Sequence, residues 1–450
     1  MRYYLISLGC PKNAVDAEGI GALLDAAGHE PVFEPQAADV LMVNTCCFIE
    51  SARDESIEVL RHLAAGKRPD QHLLALGCYP QRDGAGLAER VPALDGFLGT
   101  RRWGEILPLF EQLEQREEER APLAMVGDPA CAIPDRVQRV AVQGRSAYLK
   151  IAEGCSAACA YCVIPQIKGP LRSRPIEAIL SDARHLAARG IQEIILIAQD
   201  TTAYGRDRGV RDALPDLLDA LVAVVPTVPW IRVLYAYPQH ISPRLIETMA
   251  RHPQICHYLD LPLQHAHPDT LRRMGRSGNM GRVRKLIDGL REAMPDMALR
   301  TTFIVGYPGE TEREFRALET FSEEVGFDKV GVFTYSPEVG TPAYELPDRV
   351  PEPVKEERYR RLMELQQPLS LARNEMQIGR TLDVLVEGEG EIEYRDAAPG
   401  EAAPITIGRS YRDAPEIDGL VLIEDVAAVG HIVPVEITGA LEYDLVGSLA

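Results

Sequence analysis

A chain of 450 residues and 49.7 kDa has room for two or three domains, and 46% apolar residues give each a core of the soluble globular kind. A formal net charge of −19, with pI near 5.1, repels phosphate backbones in bulk and excludes broad nucleic-acid binding. No apolar run is long enough for a transmembrane helix. The N-terminus, Met1 to Cys10, lacks the long apolar region and cleavage site of a signal peptide, so the expected location is the cytoplasm.

In chain order, Tyr3 to Leu8 reads as a strand, Val15 to Ala27 as a helix and Val40 to Val43 as a strand. A helix over about Ser51 to Ala65, a strand over Leu73 to Leu76 and a helix near 103 to 114 follow. This rhythm predicts a parallel α/β sheet domain over 1–115, covered on both faces. The charged run Glu111 to Arg120 ends a helix, and Pro122, Gly127, Pro129 and Pro134 break order. Residues 116–145 therefore read as a linker, with Cys131 incidental to it.

Residues 146–372 are expected to form the largest domain. Strand-like runs at Tyr148 to Ile151, Glu193 to Ala198, Ile231 to Tyr235, Tyr258 to Leu261, Ala298 to Val305 and Lys329 to Phe333 alternate with helical ones. The helical runs are Ile176 to Ala188, Leu217 to Val224, Pro243 to Ala250, Met280 to Ala293 and Thr311 to Val325. That pattern suits a full or partial (β/α) barrel, whose chemistry sits past the C-terminal strand ends. In 373–450, short β-prone runs at Thr381 to Val386, Glu391 to Tyr394, Leu420 to Glu424 and Ile432 to Ile437 are punctuated by glycines. They predict a small antiparallel β-barrel.

Nine cysteines in a long chain are an odd count and a poor disulfide framework; metal ligation or chemistry is the better expectation. Cys155, Cys159 and Cys162 fall within eight residues, directly after the first strand of the central domain. Three thiolates so close can converge on a soft metal centre. On a four-iron cubane they leave one iron open to a small molecule carrying an amino and a carboxylate group. Zinc and inert core cysteines are the alternatives; structural zinc takes four ligands, and no histidine lies nearby in sequence to complete the set. Cys10, Cys46 and Cys78 each end a strand, 36 and 32 residues apart, about one βα repeat. A parallel sheet would gather them on one edge, where ligands of open α/β sheets bind. A metal or cluster site there competes with ordinary buried cysteine.

The central spacing, the aromatic Tyr161 just before the last cysteine and the surrounding β/α pattern resemble the radical S-adenosylmethionine superfamily. The resemblance implies that the open iron binds the methionine end of the cofactor and that one electron splits it to methionine and a 5′-deoxyadenosyl radical. That radical abstracts hydrogen from an unactivated C–H bond. Tyr161 is then expected to cover the cluster. Ser7-Leu-Gly-Cys10-Pro-Lys-Asn13, Asn44-Thr-Cys46 and Gly77-Cys78, with the central motif and a C-terminal β domain, resemble the methylthiotransferases over essentially the whole chain. The implication is a second 4Fe-4S cluster on Cys10, Cys46 and Cys78 that carries the sulfur to be inserted. Cys47 departs from the small residue expected there, and Asn44-Thr45 favours Cys46 as the ligand.

Further candidates follow strands. Gly306, Gly309 and Glu310 lie in a glycine-rich turn that the resemblance places near the cofactor. Gln199, Asp200, Tyr204 and His265 are expected near the barrel mouth, Arg172 and Arg174 as a frame for the site, and Asn13 beside the substrate. Ser336 to Ala343 also resembles a family segment, with no chemical role assigned.

Two branches of the family differ in substrate: adenosine in transfer RNA, or the β-carbon of an aspartate in the twelfth small-subunit ribosomal protein. From Met376 onward, four Arg face 15 Asp and Glu, a charge near −11. Such a barrel favours a basic protein over a phosphate backbone. The tail Glu442 to Gly447 also resembles the ribosomal-protein branch. An electron donor such as flavodoxin and a sulfur donor are implied as partners. A transfer-RNA enzyme and a non-catalytic, metal-bound adaptor for ribosome assembly are the other readings.

Overall fold

The computed structural model describes residues 1–115, 121–128, 144–393 and 402–450. Cys131, most of the expected linker and Tyr394 lie outside them. The first sheet contains β1 (Arg2–Ser7), β2 (Glu30–Pro31), β3 (Val40–Thr45), β4 (His72–Gly77), β5 (Gly96–Gly99) and β6 (Leu123–Met125). All its pairs are parallel, in the order β2-β1-β3-β4-β5-β6. β3 is buried along its length, as a strand covered on both faces must be.

Three strands and a helix here are absent from the sequence reading; β2 is only the pair Glu30–Pro31. β5 is only Gly-Phe-Leu-Gly, too short for a period. β6 lies inside the stretch read as a linker. The helix Cys78–Arg90 carries Pro80, Gly84 and Gly86 and is kinked at Asp83, so its sequence reads as a turn. The expected helix near 103 begins as a 3-10 turn, Thr100–Glu105, before the helix Ile106–Glu114.

The central sheet uses β7 (Ser146–Lys150), β10 (Glu193–Ile197), β11 (Trp230–Val233), β12 (Ile255–Asp260), β13 (Ala298–Val305) and β14 (Lys329–Thr334), neighbours in that order and all parallel. Its edges do not pair, so it is an open, partial barrel. Two short strands, β8 (Ala152–Glu153) and β9 (Arg172–Ser173), pair antiparallel and close the loop that carries Cys155, Cys159 and Cys162. A 24-residue helix, Glu352–Glu375, runs through the boundary expected at 372. Its scattered apolar residues and internal Pro368 hide it from a periodicity argument.

The last unit is a closed barrel of β15 (Thr381–Glu393), β16 (Ala402–Ser410), β17 (Val421–Ile423), β18 (Ile432–Ala440) and β19 (Leu445–Leu449). Its pairs are antiparallel except β17 with β19, which is parallel. β19 takes up the end of the tail segment Glu442 to Gly447 and runs on to Leu449. Arg409 and Arg232 hold Glu193 in a fully buried cluster that docks this barrel on the central sheet. Arg412 with Asp328, and Lys329 with Asp413, add two more buried pairs. Among the described residues, no helix is long and apolar enough to cross a membrane.

Candidate functional site

Register brings Cys10, Cys46 and Cys78 together. Ser7 pairs with Asn44 across β1 and β3, and Thr45 with Gly77 across β3 and β4, so the three chain segments leave the sheet side by side. Gly9 has φ +86°, and a Cβ there would lie 2.6 Å from Cys46 Cβ. Only glycine allows the Cys10 loop to pass that closely. Asn13 ties the segments from beneath: its Nδ2 donates to the carbonyls of Leu8 and Thr45, both at 3.0 Å. Its Oδ1 accepts from Cys78 Sγ at 3.5 Å, and its carbonyl accepts from Asn44 Nδ2 at 2.7 Å. Fully buried, Asn13 holds the cysteine loops together.

Burial pushes the Cys46 thiol up and the Cys78 thiol well up. Cys47 is pushed to about 12, also by burial. Its side chain sits in an apolar cluster with Leu60, Tyr79 and Leu87, and its carbonyl accepts from Arg82 at 2.8 Å. Adjacent residues of an extended chain point to opposite sides.

The second triad lies on the loop after β8. Cys155 N donates to the Gly169 carbonyl at 3.0 Å, and Cys162 N to the Cys159 carbonyl at 3.1 Å. Gly154, at φ +73°, passes so close to Pro170 that a Cβ would lie 2.2 Å from its carbonyl oxygen. All three sulfurs belong to half-buried residues, and burial pushes Cys162 up to about 12. Tyr161 Oη accepts from Arg276 at 3.0 Å, and Arg276 stacks over Tyr237 at 4.5 Å. Beside Arg276 lies a small cleft of about 30 Å³, lined by Tyr237, Leu263, His265 and Met280 among others.

Each set offers three thiolates, one short of the four ligands of structural zinc and suited to an iron–sulfur cluster with an open iron. Tetrahedral zinc, with Zn–S near 2.3 Å, draws its sulfurs to within about 4 Å of each other. Among the described residues, the one set of three metal-type donors within 4.8 Å is His267, Asp269 and Glu314, so neither cysteine triad is that tight. Glu314 is already held by Arg273 at 3.0 Å and by its helix cap on Thr311.

The two triads are linked. The short helix Ile164–Lys168, which follows Cys162, sends Val163 and Ile167 into the apolar cluster of Cys47 and Cys78. Lys168 lies 3.1 Å from Asp16, on the helix Pro11–Ala26 that starts beside Cys10, and 3.3 Å from Glu153. Lys150 also pairs with Asp16 and Glu153. Gln199 donates to Glu153 at 3.1 Å. Glu338, in the segment Ser336 to Ala343, pairs with Arg82 at 2.9 Å and with Arg53, latching the first domain to the end of β14. Lys12 reaches from the Cys10 turn to the central sheet, its Nζ 3.0 Å over the Tyr235 ring. Burial lowers it to about 8, with Cys10 opposing that shift. Lys12, Asp16, Glu153 and Lys168 escaped the sequence reading; two of them flank the cysteines in the chain, the one clue available.

Other expected residues serve the frame. Asp200 accepts from Thr202 at 2.7 Å, caps Ala203 and meets His240 at 2.8 Å. Tyr204 donates to the Arg174 carbonyl at 3.0 Å, and Arg174 pairs with Asp182 at 2.9 Å. Arg172 is exposed on β9. A Cβ on Gly306 would strike Lys355, and Gly309 packs against Arg273. Glu310 meets Arg358 at 3.0 Å, and burial still lifts it to about 7. That turn therefore anchors the long helix Glu352–Glu375. His265 is fully buried and pushed to about 3 by burial, hence neutral; its Nε2 makes no hydrogen bond and lies 3.9 Å from the Glu310 carboxylate.

Three family models match: the uncharacterized protein family UPF0004 over 2–99, the radical SAM superfamily over 149–321 and the TRAM domain over 378–449. The solved radical S-adenosylmethionine methyltransferase TsrM from Kitasatospora setae aligns with TM-score 0.56 at 14% identity, over 76% of this chain and 73% of that one. The cobalamin-dependent S-adenosylmethionine radical enzyme OxsB aligns at 0.53 and 10%, over 82% of this chain and 56% of that one. These two likenesses show the fold. The "Ribosomal protein uS12 methylthiotransferase RimO" of Roseiflexus sp. (strain RS-1) is 49% identical over 100% of this chain and 97% of its own length. Its namesake in Chloroflexus aurantiacus is 48% identical over 99% of each. That in Geobacter sulfurreducens is 45% identical, over 99% of this chain and 98% of that one. Shared along its full length with these relatives, the chain belongs to the RimO family of ribosomal protein uS12 methylthiotransferases and is a radical S-adenosylmethionine enzyme.

Proposed function

We propose that this chain inserts a methylthio group at the β-carbon of an aspartate in ribosomal protein uS12. In this reading one 4Fe-4S cluster is held by Cys155, Cys159 and Cys162 and a second by Cys10, Cys46 and Cys78. The observation that carries it is the pair of three-cysteine sets, on two sheet edges joined by the helix Ile164–Lys168. When bound, the clusters supply the electron that splits S-adenosylmethionine and the sulfur to be inserted.

The chain's own residues supply the rest. Asn13 keeps the three N-terminal cysteine segments in register. The Lys150, Lys168, Asp16 and Glu153 cluster fixes the distance between the two sites. Tyr161, steadied by Arg276, covers the central loop. The apolar packing of Val163 and Ile167 keeps water out of the seam.

The barrel supports a protein substrate over transfer RNA. Arg409 and Arg412 are buried in ion pairs, so they cannot meet phosphate. Exposed Asp383, Glu389, Glu391, Glu424, Asp425 and Glu436 present an acidic face suited to a basic ribosomal protein. An electron donor such as flavodoxin, a sulfur donor and a cytoplasmic setting belong to the same reading.

The test is anaerobic reconstitution followed by incubation with uS12, transfer RNA, S-adenosylmethionine, reductant and sulfide. About eight irons per chain and a methylthio mass gain on an aspartate of uS12 are expected. Cys155→Ala should abolish 5′-deoxyadenosine formation; Cys10→Ala should retain it and lose sulfur transfer. A mass gain on transfer RNA alone, or intact transfer by Cys10→Ala, overturns the reading.

A further inference from the structure

Helices Pro243–Arg251 and Met280–Ala293 leave between them an open groove of about 870 Å³. Its floor is apolar, with Ile246, Leu286 and the exposed Ala250 and Ala293. Its rim carries Arg251, Arg282 and Lys285, and Glu247 is the single acid among the lining residues. Arg251 is shared with Asp219 at 2.7 Å, whereas Arg282 and Lys285 are exposed and have no acidic partner among the described residues. This charge is local. Residues 271–291 hold seven Lys and Arg against one Asp, in a chain whose net charge is −19. An acidic partner is repelled by most of such a surface and drawn to this part of it.

The groove leads to the central cysteine loop. It shares Arg282 and Leu286 with the small cleft beside Arg276. Arg276 donates to Tyr161 Oη at 3.0 Å, and Tyr161 precedes Cys162 in the chain. The Ala160 N–H donates to the Met274 carbonyl at 2.9 Å. Gly275, at φ +70°, passes so close that a Cβ would lie 2.3 Å from the Ala158 carbonyl oxygen. The loop of Cys155, Cys159 and Cys162 therefore rests on the segment that opens into the helix Met280–Ala293.

We infer that this groove docks a small acidic protein that carries one electron to the central cysteine loop. The inference rests on the reading that Cys155, Cys159 and Cys162 hold a redox-active iron–sulfur cluster. In each encounter the carrier is oxidised by one electron and the cluster is reduced by one; no covalent bond forms or breaks. An apolar floor inside a charged rim is the anatomy of a protein interface. A nucleic acid would leave that floor uncovered, and none of the lining residues is an aromatic on which a base could stack. A basic ribosomal protein is repelled here and suited to the acidic barrel, so the two partners take different faces.

The experiment titrates the anaerobically reconstituted full chain with an acidic flavodoxin and follows cluster reduction by electron paramagnetic resonance. Binding by the wild-type chain is expected to weaken as salt rises. Arg282→Glu with Lys285→Glu should weaken binding about tenfold and slow reduction by the reduced flavodoxin to match, while reduction by dithionite keeps its wild-type rate. Arg184→Glu with Arg360→Glu makes the same charge change at exposed sites on other helices and should leave binding unchanged. A groove variant that binds flavodoxin like wild type overturns the assignment. So does equal weakening in the control pair, or the absence of salt-sensitive binding by the wild-type chain. Loss of affinity for a ribosomal RNA fragment, with flavodoxin binding kept, hands the surface to nucleic acid and overturns it too. A wild-type chain that retains no iron on Cys155, Cys159 and Cys162 fails the functional reading itself, which the iron count separates from the binding result.

Discussion

Lys168 Nζ lies 3.1 Å from Asp16 Oδ2, and this ion pair joins the peptide bearing Cys155, Cys159 and Cys162 to the helix that begins beside Cys10. Both side chains are buried. Spacing between the two cysteine sets is thus set by a contact with little freedom to adapt, since loss of either partner leaves the buried cluster it forms with Lys150 and Glu153 one charge out of balance.

Lys168→Met should therefore destabilise the chain by about 3–5 kcal/mol, the range for breaking a buried pair from one side. Asp16→Asn added to Lys168→Met should recover part of the loss, because it restores the charge balance with Lys150 and Glu153. Urea unfolding midpoints of the two variants decide this; identical midpoints for Lys168→Met and wild type would show that the pair carries no load.

Asn13→Ala leaves the Leu8 and Thr45 carbonyls without their donor. Each unsatisfied buried group costs about 1–3 kcal/mol, and the loops carrying Cys10 and Cys46 should loosen. The expected result is a selective fall in iron retained after gel filtration, toward half the wild-type content, with 5′-deoxyadenosine formation preserved. Full iron content would remove Asn13 from the cysteine scaffold.

Glu193 ties the terminal barrel to the central sheet, and its response to acid is predictable. Burial alone would raise it, but Arg232 and Arg409 hold it at about 2 against an ordinary 4.5. A depressed carboxyl contributes stability above its unfolded value and loses it as pH falls through the folded one. Its contribution of about 3 kcal/mol should be intact above pH 4.5 and decline toward pH 2. Arg409→Met should flatten that decline in a series of thermal melts across this window. An unchanged slope would mean that other carboxylates dominate acid unfolding.

Local chemistry carried much of this protein into view. Glycine before Cys10 and Cys78, three cysteines within eight residues and the βα rhythm are short-range signals, readable because spacing along the chain sets which side chains can share an edge. The central helices Ile176–Ala188 and Met280–Ala293 and the strand Ala298–Val305 match their expected ends, because each has a clear apolar period and boundary. Elements without a period stayed hidden: β5, the kinked helix Cys78–Arg90 and the helix Glu352–Glu375 are held by tertiary packing more than by propensity.

The sequence by itself determined the family resemblance, the three-part layout, the six cysteines and the acidity of the final domain. Only the tertiary structure decided that Asn13 braces the cysteine loops, that Arg409 and Arg412 are spent on internal pairs, and that Lys12 lies over the Tyr235 ring. The physical reason is range. Thiol spacing and strand period act over a few residues, whereas the worth of a buried charge depends on every group that folding brings around it.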